Sequence, residues 1–317
     1  MKLFQETKIE LYSKHELKIC VISDIHFSYR VKNEKLSTLL GKLRERSPDY
    51  IFLPGDLVDS NDMISDIKEE ARLLDFLTEL GKIGKTLVSK GNHDVYKKAS
   101  KEHKKKTGDK WEVFENTDFI EKVRKIKNIF YLDNEFYEDK NIYCFGLTLN
   151  SSYYRLLNSE KDPKNPGENV EELLESLDNL DQKLVKNLPK NKLKFALIHS
   201  PACLSDFRVK AELSEFDYLI SGHMHNGLIT PVIDEFWQSD RGVVDASKKL
   251  GAKNTRLSRK TLKDGLIIAG AVTTWHESVG TFHKLNALYP SYFLTLNFSK
   301  NKLYKSHPEI TKTYLNY

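Results

Sequence analysis

The sequence predicts an α/β protein whose first half alternates strands with helices and whose second half carries more strands than helices. Three observations predict it. Short, nearly continuous apolar runs recur along the chain, as expected of strands buried on both faces. Between them lie stretches with apolar residues at helical spacing. Five of the apolar runs end in blocks rich in Asp, Asn or His.

In chain order, strands are expected at Leu17–Ser23, Tyr50–Leu53, Thr86–Ser89, Ile142–Leu149, Leu193–Ile198, Tyr218–Ser221, Leu266–Ala269 and Tyr292–Leu296. A first helix, Asn33–Arg46, carries Leu36, Leu39, Leu40 and Leu43 on one side and stops before Pro48. A second, Ile64–Leu80, repeats the pattern through Ile67, Ala71, Leu74 and Leu77 and ends at Gly81. A third is expected at Val170–Leu188. This order is that of βαβ units on a mostly parallel sheet, with a mixed sheet in the second half. Val95–Lys110 and Gln238–Lys263 read as irregular loops laid over the site face.

The chain has 317 residues, 39% of them apolar, enough for a sizeable core in one large or two ordinary domains. Its 15 Tyr and 16 Phe favour a sheet-rich interior. Fifty basic against 45 acidic residues leave a net charge of +5, too mild by itself to imply nucleic acid. Cys20, Cys144 and Cys203 sit in or beside apolar runs and read as buried free thiols in a reducing compartment. No apolar stretch reaches the ~18 residues that would span a bilayer, and no signal peptide is visible. A cytoplasmic protein is expected, with peripheral membrane contact left open. Oligomeric state has no legible signature.

The chemistry sits in the strand-end blocks, where ligands gather in open α/β sheets. Asp24 and His26 lie two apart, so in extended backbone they would point to one side and grip one ion. Asp56 follows Gly55, whose missing side chain lets the backbone approach closely. Its carboxylate could bridge two metals, and Asp59 reads as a helix cap or a partner to a neighbouring ligand. In Gly91-Asn92-His93-Asp94, Asn92 offers a neutral oxygen, His93 a ligand or acid/base group, and Asp94 a carboxylate that could orient it. His199 ends a strand, and His223 and His225 flank Met224 after another. Each block alone is readily an ordinary polar turn. Five at the same end of successive strands point to one site. Mixed N and O donors without thiolate suit Mn²⁺, Fe or Zn²⁺, and seven ligands suit two ions sharing a bridge.

In order, these blocks match the D-x-H, G-D, G-N-H-D, H and G-H-x-H pattern, and the chain resembles the calcineurin-like metallophosphoesterase family over residues 18–226. The resemblance implies a single-domain, four-layer α/β/β/α sandwich with two mixed sheets and a dinuclear metal site at strand ends, and loop excursions near 95–115 and 238–263. It implies that Asp24, His26, Asp56 and His225 hold one ion and that Asp56, Asn92, His199 and His223 hold the other. The ions would be divalent, Mn²⁺ first, with Fe or Zn²⁺ acceptable. The implied reaction is phosphodiester or phosphomonoester hydrolysis, by in-line attack of a metal-bridging hydroxide with His93 assisting the leaving group. Two other readings are a nuclease, supported only by the basic run Lys97–Lys106, and a non-catalytic scaffold, against which the intact ligand set argues.

Outside the motifs, Lys97–Lys106 reads as a solvated loop or as a basic flap that steers anionic substrates or touches anionic lipid. Trp111 and Phe114 could insert into an interface or pack beneath it. Arg241 is the candidate phosphate grip. His276 and His283 are expected outside the ligand set.

Overall fold

The computed structural model describes residues 3–108, 111–148, 188–201, 211–223, 265–273, 291–305 and 309–316. Among these, fourteen strands and four α-helices follow one another. The strands are β1 (Leu3–Tyr12), β2 (Leu17–Val21), β3 (Tyr50–Pro54), β4 (Lys85–Ser89), β5 (Tyr96–Lys98), β6 (Trp111–Val113) and β7 (Ile129–Leu132). Then come β8 (Glu135–Glu138), β9 (Ile142–Leu147), β10 (Leu193–Ile198), β11 (Tyr218–Ser221), β12 (Leu266–Ile268), β13 (Ser291–Ser299) and β14 (Glu309–Asn316). The helices are α1 (Asn33–Arg46), α2 (Ile67–Ile83), α3 (Lys101–Thr107) and α4 (Thr117–Arg124).

Two mixed sheets form. The first has the order β14-β1-β13-β2-β3-β4-β7 and the second β12-β11-β10-β9-β8. In the first, β2, β3, β4 and β7 run parallel. In the second, β9 to β12 run parallel, with β8 antiparallel at the edge.

The alternation of side chains along each strand divides the interior in two. Cys20, Ile51, Leu53 and Val88 face the helices, where they meet Leu39 and Leu43 of α1, Leu73 and Leu77 of α2 and Val123 of α4. Ile19, Val21, Phe52 and Leu87 face the second sheet, where they meet Cys144, Phe195, Leu197 and Ile220. Phe52 and Phe195 close the gap between sheets edge to face, with centroids 5.2 Å apart. Helix, sheet and sheet are thus three of the expected four layers. The helix expected at 170–188 lies outside the described residues.

α1 matches its expected bounds and ends at Ser47 in the left-handed region before Pro48. The second helix is displaced. It begins at Ile67 because the Asp66 side chain accepts from the Lys68 amide as a cap, leaving Ile64 in a preceding 3₁₀ turn. It also runs through Gly81, which packs its bare backbone against the carbonyl of Lys127, and stops at Gly84.

One further expectation needs correction, and several strands had not been expected. The stretch Val95–Lys110 is not an irregular loop. It holds β5 and α3, and β5 pairs antiparallel with β6. Ser100 caps α3 by accepting from the His103 amide, and Gly108 ends it in the left-handed region. The N-terminal stretch, polar by composition, forms β1, which lies between β13 and β14. There the buried carboxylate of Glu6 is gripped at both oxygens by Arg46 and accepts from Thr295. The short strands β6, β7 and β8, and β14, were not expected either. The loop 238–263 lies outside the described residues.

Candidate functional site

The carboxyl ends of β2, β3, β4, β10 and β11 bring their polar blocks together between the two sheets. The loops leaving β2 and β3 run side by side: the His26 amide donates to the Asp56 carbonyl at 3.0 Å and the Phe27 amide to that of Leu57 at 2.9 Å. Across the sheets, the His223 amide lies 3.1 Å from both Asp24 carboxylate oxygens.

Asp24, His26, Asp56 and His223 all have positive φ, between 44° and 68°. Left-handed backbone is rare for residues with a side chain and clusters where function over-determines the geometry. It corrects the expectation of an extended Asp24-x-His26 pair. The backbone turns sharply, and the two side chains still meet, with His26 Nε2 at 3.9 Å from Asp24 Oδ1 and 3.4 Å from Asp56 Oδ2.

Gly91 shows why the third block needs a glycine. A Cβ there would overlap the Asp56 carboxylate and amide. Gly55, at φ +83°, likewise leaves room for the His199 ring.

His199 is the centre of one donor cluster. Its Nδ1 lies 2.9 Å from the Pro54 carbonyl, which can only accept, so Nδ1 carries a hydrogen. Its Nε2 then faces three donor atoms: Asn92 Oδ1 at 3.0 Å, Asp56 Oδ2 at 3.1 Å and His223 Nδ1 at 3.1 Å. Asp24, His26 and Asp56 form an adjoining cluster, so Asp56 belongs to both. A third grouping joins His26, Asp59 and His93.

Electrostatics follow from burial and proximity. Burial alone would lower the His199 pKa, but the Asp56 carboxylate against it, with Asp24 beyond, raises it to about 9. His26 is raised in the same way by Asp59, Asp56 and Asp24 against its burial. Burial would raise Asp56, and the surrounding His199, His93 and His26 hold it well below the ordinary carboxylate range. The site therefore draws positive charge into a buried place, as a cation-binding centre must.

Asp94 does not hold the His93 ring. Its carboxylate accepts from the Gly91 amide at 2.8 Å and the Val58 amide at 3.0 Å, tying two strand-end loops together. Burial and the nearby Asp56 charge push its carboxyl up to about 6. The His93 Nδ1 instead meets the Asp59 carbonyl at 2.6 Å, and its ring packs edge to face on His26 at 4.6 Å. Asp59 is the partner of a neighbouring ligand, with Oδ1 3.6 Å from His26 Nδ1, and it caps no helix.

Asp24, His26, Asp56 and His199 are buried and form the floor. Asn92, His93 and His223 are half-buried and line the open side. His225, Arg241, His276 and His283 lie outside the described residues. Two contributors had no sequence signal: the Pro54 carbonyl that fixes His199, and the Asn61 amide, which lies within 2.9–3.1 Å of the carbonyls of Asp94, Tyr96 and Phe114. Backbone carbonyls leave no mark in residue identity.

Comparison with known proteins gives the following likenesses. An uncharacterised metallophosphoesterase of Campylobacter jejuni is 27% identical over 222 residues, which cover 69% of this chain and 46% of that protein. The chain thus spans about half the length of this curated relative. A solved dimetal phosphatase from Danio rerio is 13% identical with a TM-score of 0.39, covering 66% of this chain and 82% of that one. The family model for calcineurin-like phosphoesterases matches residues 17–227, two thirds of the sequence and every strand-end block, and the chain belongs to that family.

Proposed function

We propose that the chain hydrolyses a phosphodiester or phosphomonoester using two divalent ions held between its sheets. The observation that carries the reading is the convergence of Asn92, Asp56 and His223 on the lone-pair nitrogen of His199, beside the Asp24–His26–Asp56 cluster. Hard oxygens and imidazoles without thiolate fit Mn²⁺ first, with Fe or Zn²⁺ acceptable. Asp24, His26 and Asp56, with His225, would hold one ion. Asp56, Asn92, His199 and His223 would hold the other. Bound there, divalent ions would supply Lewis-acid chemistry, polarising a phosphoryl oxygen and lowering the pKa of water.

The chain's own groups do the rest. The Pro54 carbonyl fixes the His199 tautomer, so that Nε2 is the nitrogen offered to the cluster. The Asp59 carbonyl likewise holds the Nδ1–H of His93, leaving Nε2 as the atom that would take up a proton and, from the imidazolium form, give it to the departing oxygen. Asp94 keeps the loop carrying Asn92 and His93 in register through two amides. Arg241 is the proposed phosphate contact. No helix among the described residues is long and apolar enough to cross a membrane. We place the activity in the cytoplasm, where the buried thiols of Cys20 and Cys144 would stay reduced.

The test is hydrolysis of bis(p-nitrophenyl) phosphate and of p-nitrophenyl phosphate with added Mn²⁺ and with chelator. His93→Ala should lose ~10²–10⁴-fold in turnover and keep its metal. Asp56→Ala should lose both. Folded protein that hydrolyses neither ester with any divalent metal would sink the reading and leave a scaffold on the same fold.

A further inference from the structure

The hairpin of β5 and β6 carries features that ester hydrolysis does not use. Tyr96 pairs with Val113 and Lys98 with Trp111. These four therefore share one face of the ribbon, while Lys97 and Glu112 share the other, 3.5 Å apart. Trp111 is 41% exposed, Val113 56% and Phe114 37%. Among the described residues these are three of the seven large apolar side chains left exposed, and they fall within four consecutive positions. Scattered exposed apolar residues need no explanation, but a cluster does.

The lysines are placed beside it. The Lys98–Trp111 pair lies at the end of the ribbon where the chain continues into α3. Lys101, Lys104, Lys105 and Lys106 of that helix are all exposed, and none makes an ion pair among the described residues. The ribbon is also fixed to the site. Asn61 holds the carbonyls of Tyr96 and Phe114 together with that of Asp94, and the Phe114 amide donates to Val95 at 2.9 Å. At its base the buried ammonium of Lys90, the residue before Gly91, pairs with Glu115 and Asp133.

We propose that this β5–α3–β6 hairpin is a docking surface for an anionic lipid bilayer. Trp111 and Val113 enter the interfacial layer, and the lysines of α3 face the headgroup phosphates. Indole side chains favour that layer, and each lysine at an anionic surface contributes roughly fivefold in partitioning. Apolar insertion and basic charge are the two signals that together give stable, reversible attachment. Single-stranded nucleic acid is the less suited partner, because it is held by aromatic rings spaced along a basic groove. Here the exposed rings Trp111 and Phe114 crowd around the aliphatic Val113 within four positions instead of being spaced along the chain. Docking would hold the metal-ligand loops close to the bilayer, whatever ester they act on.

The experiment is cosedimentation of the full chain with phosphatidylcholine vesicles, with and without phosphatidylglycerol, at low and high salt. Binding is expected only with phosphatidylglycerol, weakened by salt and accompanied by a blue shift of tryptophan emission. Combining Lys104→Glu, Lys105→Glu and Lys106→Glu should weaken it at least tenfold. Trp111→Ser with Val113→Ser should weaken it several-fold. Circular dichroism of each variant should match the parent. If the hairpin pair fails that control, the charge variants, on exposed helix positions, still decide. Equal binding to neutral vesicles, no binding to either, variants that bind like the parent, or tighter retention on a single-stranded oligonucleotide would each overturn the proposal. Vesicle binding requires no turnover, so its outcome is independent of the catalytic reading.

Discussion

At the residue scale, Asp59 serves two imidazoles with two different groups. Its carboxylate lies 3.6 Å from His26 Nδ1, and its backbone carbonyl accepts from His93 Nδ1 at 2.6 Å. Substitution separates the two roles, because the side chain can be removed while the carbonyl stays. Carboxylates behind metal-ligating histidines typically contribute 10–100-fold in metal affinity. Asp59→Ala should therefore weaken Mn²⁺ binding by about that factor. It should leave turnover at saturating Mn²⁺ nearly intact, since His93 keeps its partner. Activity titrated against Mn²⁺, with calorimetry of metal binding, checks this. Unchanged affinity, or a matching loss at saturating metal, would show that the carboxylate does not act through His26.

At the element scale, the turn between β8 and β9 ties the sheets together at the end away from the site. Asp139 accepts there from Lys85 Nζ at 2.6 Å, Tyr50 Oη at 2.7 Å, Tyr137 Oη at 2.9 Å and the amides of Asn141 and Ile142. Burial would raise its pKa, but Lys85, the two amides and Tyr50 outweigh it and hold the carboxyl far below the usual range. A depressed carboxylate stabilises the fold above its unfolded pKa of about 4 and loses that contribution as pH falls. Asp139→Asn should cost about 2–3 kcal/mol at pH 7 by urea unfolding. The gap to the parent should begin to close below about pH 4; a gap constant down to pH 2 would rule out the charge as its source. This tie was illegible in the sequence, as were β1 and β14. Both strands join charged and apolar residues, and the burial of β1 depends on a distant Arg46 and on its pairing with β13 and β14. The parallel strands β2, β3, β4, β10 and β11 were legible because burial on both faces makes them apolar throughout. The donors of the site were legible only jointly: each polar block alone reads as an ordinary turn, and five at the same end of successive buried strands point to one place. What failed there was local geometry. The left-handed turns at Asp24 and His26, and the transfer of His93 from Asp94 to Asp59, depend on backbone carbonyls that residue types do not encode.

At the scale of the whole molecule, the donors come from both sheets. Asp24, His26, Asp56 and Asn92 follow strands of the first, and His199 and His223 follow strands of the second. Between the sheets an apolar layer runs through Phe52, Phe195 and Leu197, and at one end it meets buried carboxylates that repel each other. A cation shared by the two clusters would relieve that repulsion and fasten one sheet to the other at that end. A ligand that binds only the folded chain stabilises it by about 2.7 kcal/mol at 100 times its Kd. For a chain of 317 residues that corresponds to roughly 4 °C in Tm. Adding Mn²⁺ to chelated protein should therefore raise the melting temperature by about that amount, with the whole described fold unfolding in one transition. Asp56→Asn should remove most of the rise, because Asp56 belongs to both clusters. Asp94→Asn should keep it, because that side chain contacts amides rather than a donor cluster. A Tm indifferent to Mn²⁺, or a rise that survives Asp56→Asn, would show that no cation bridges the two sheets.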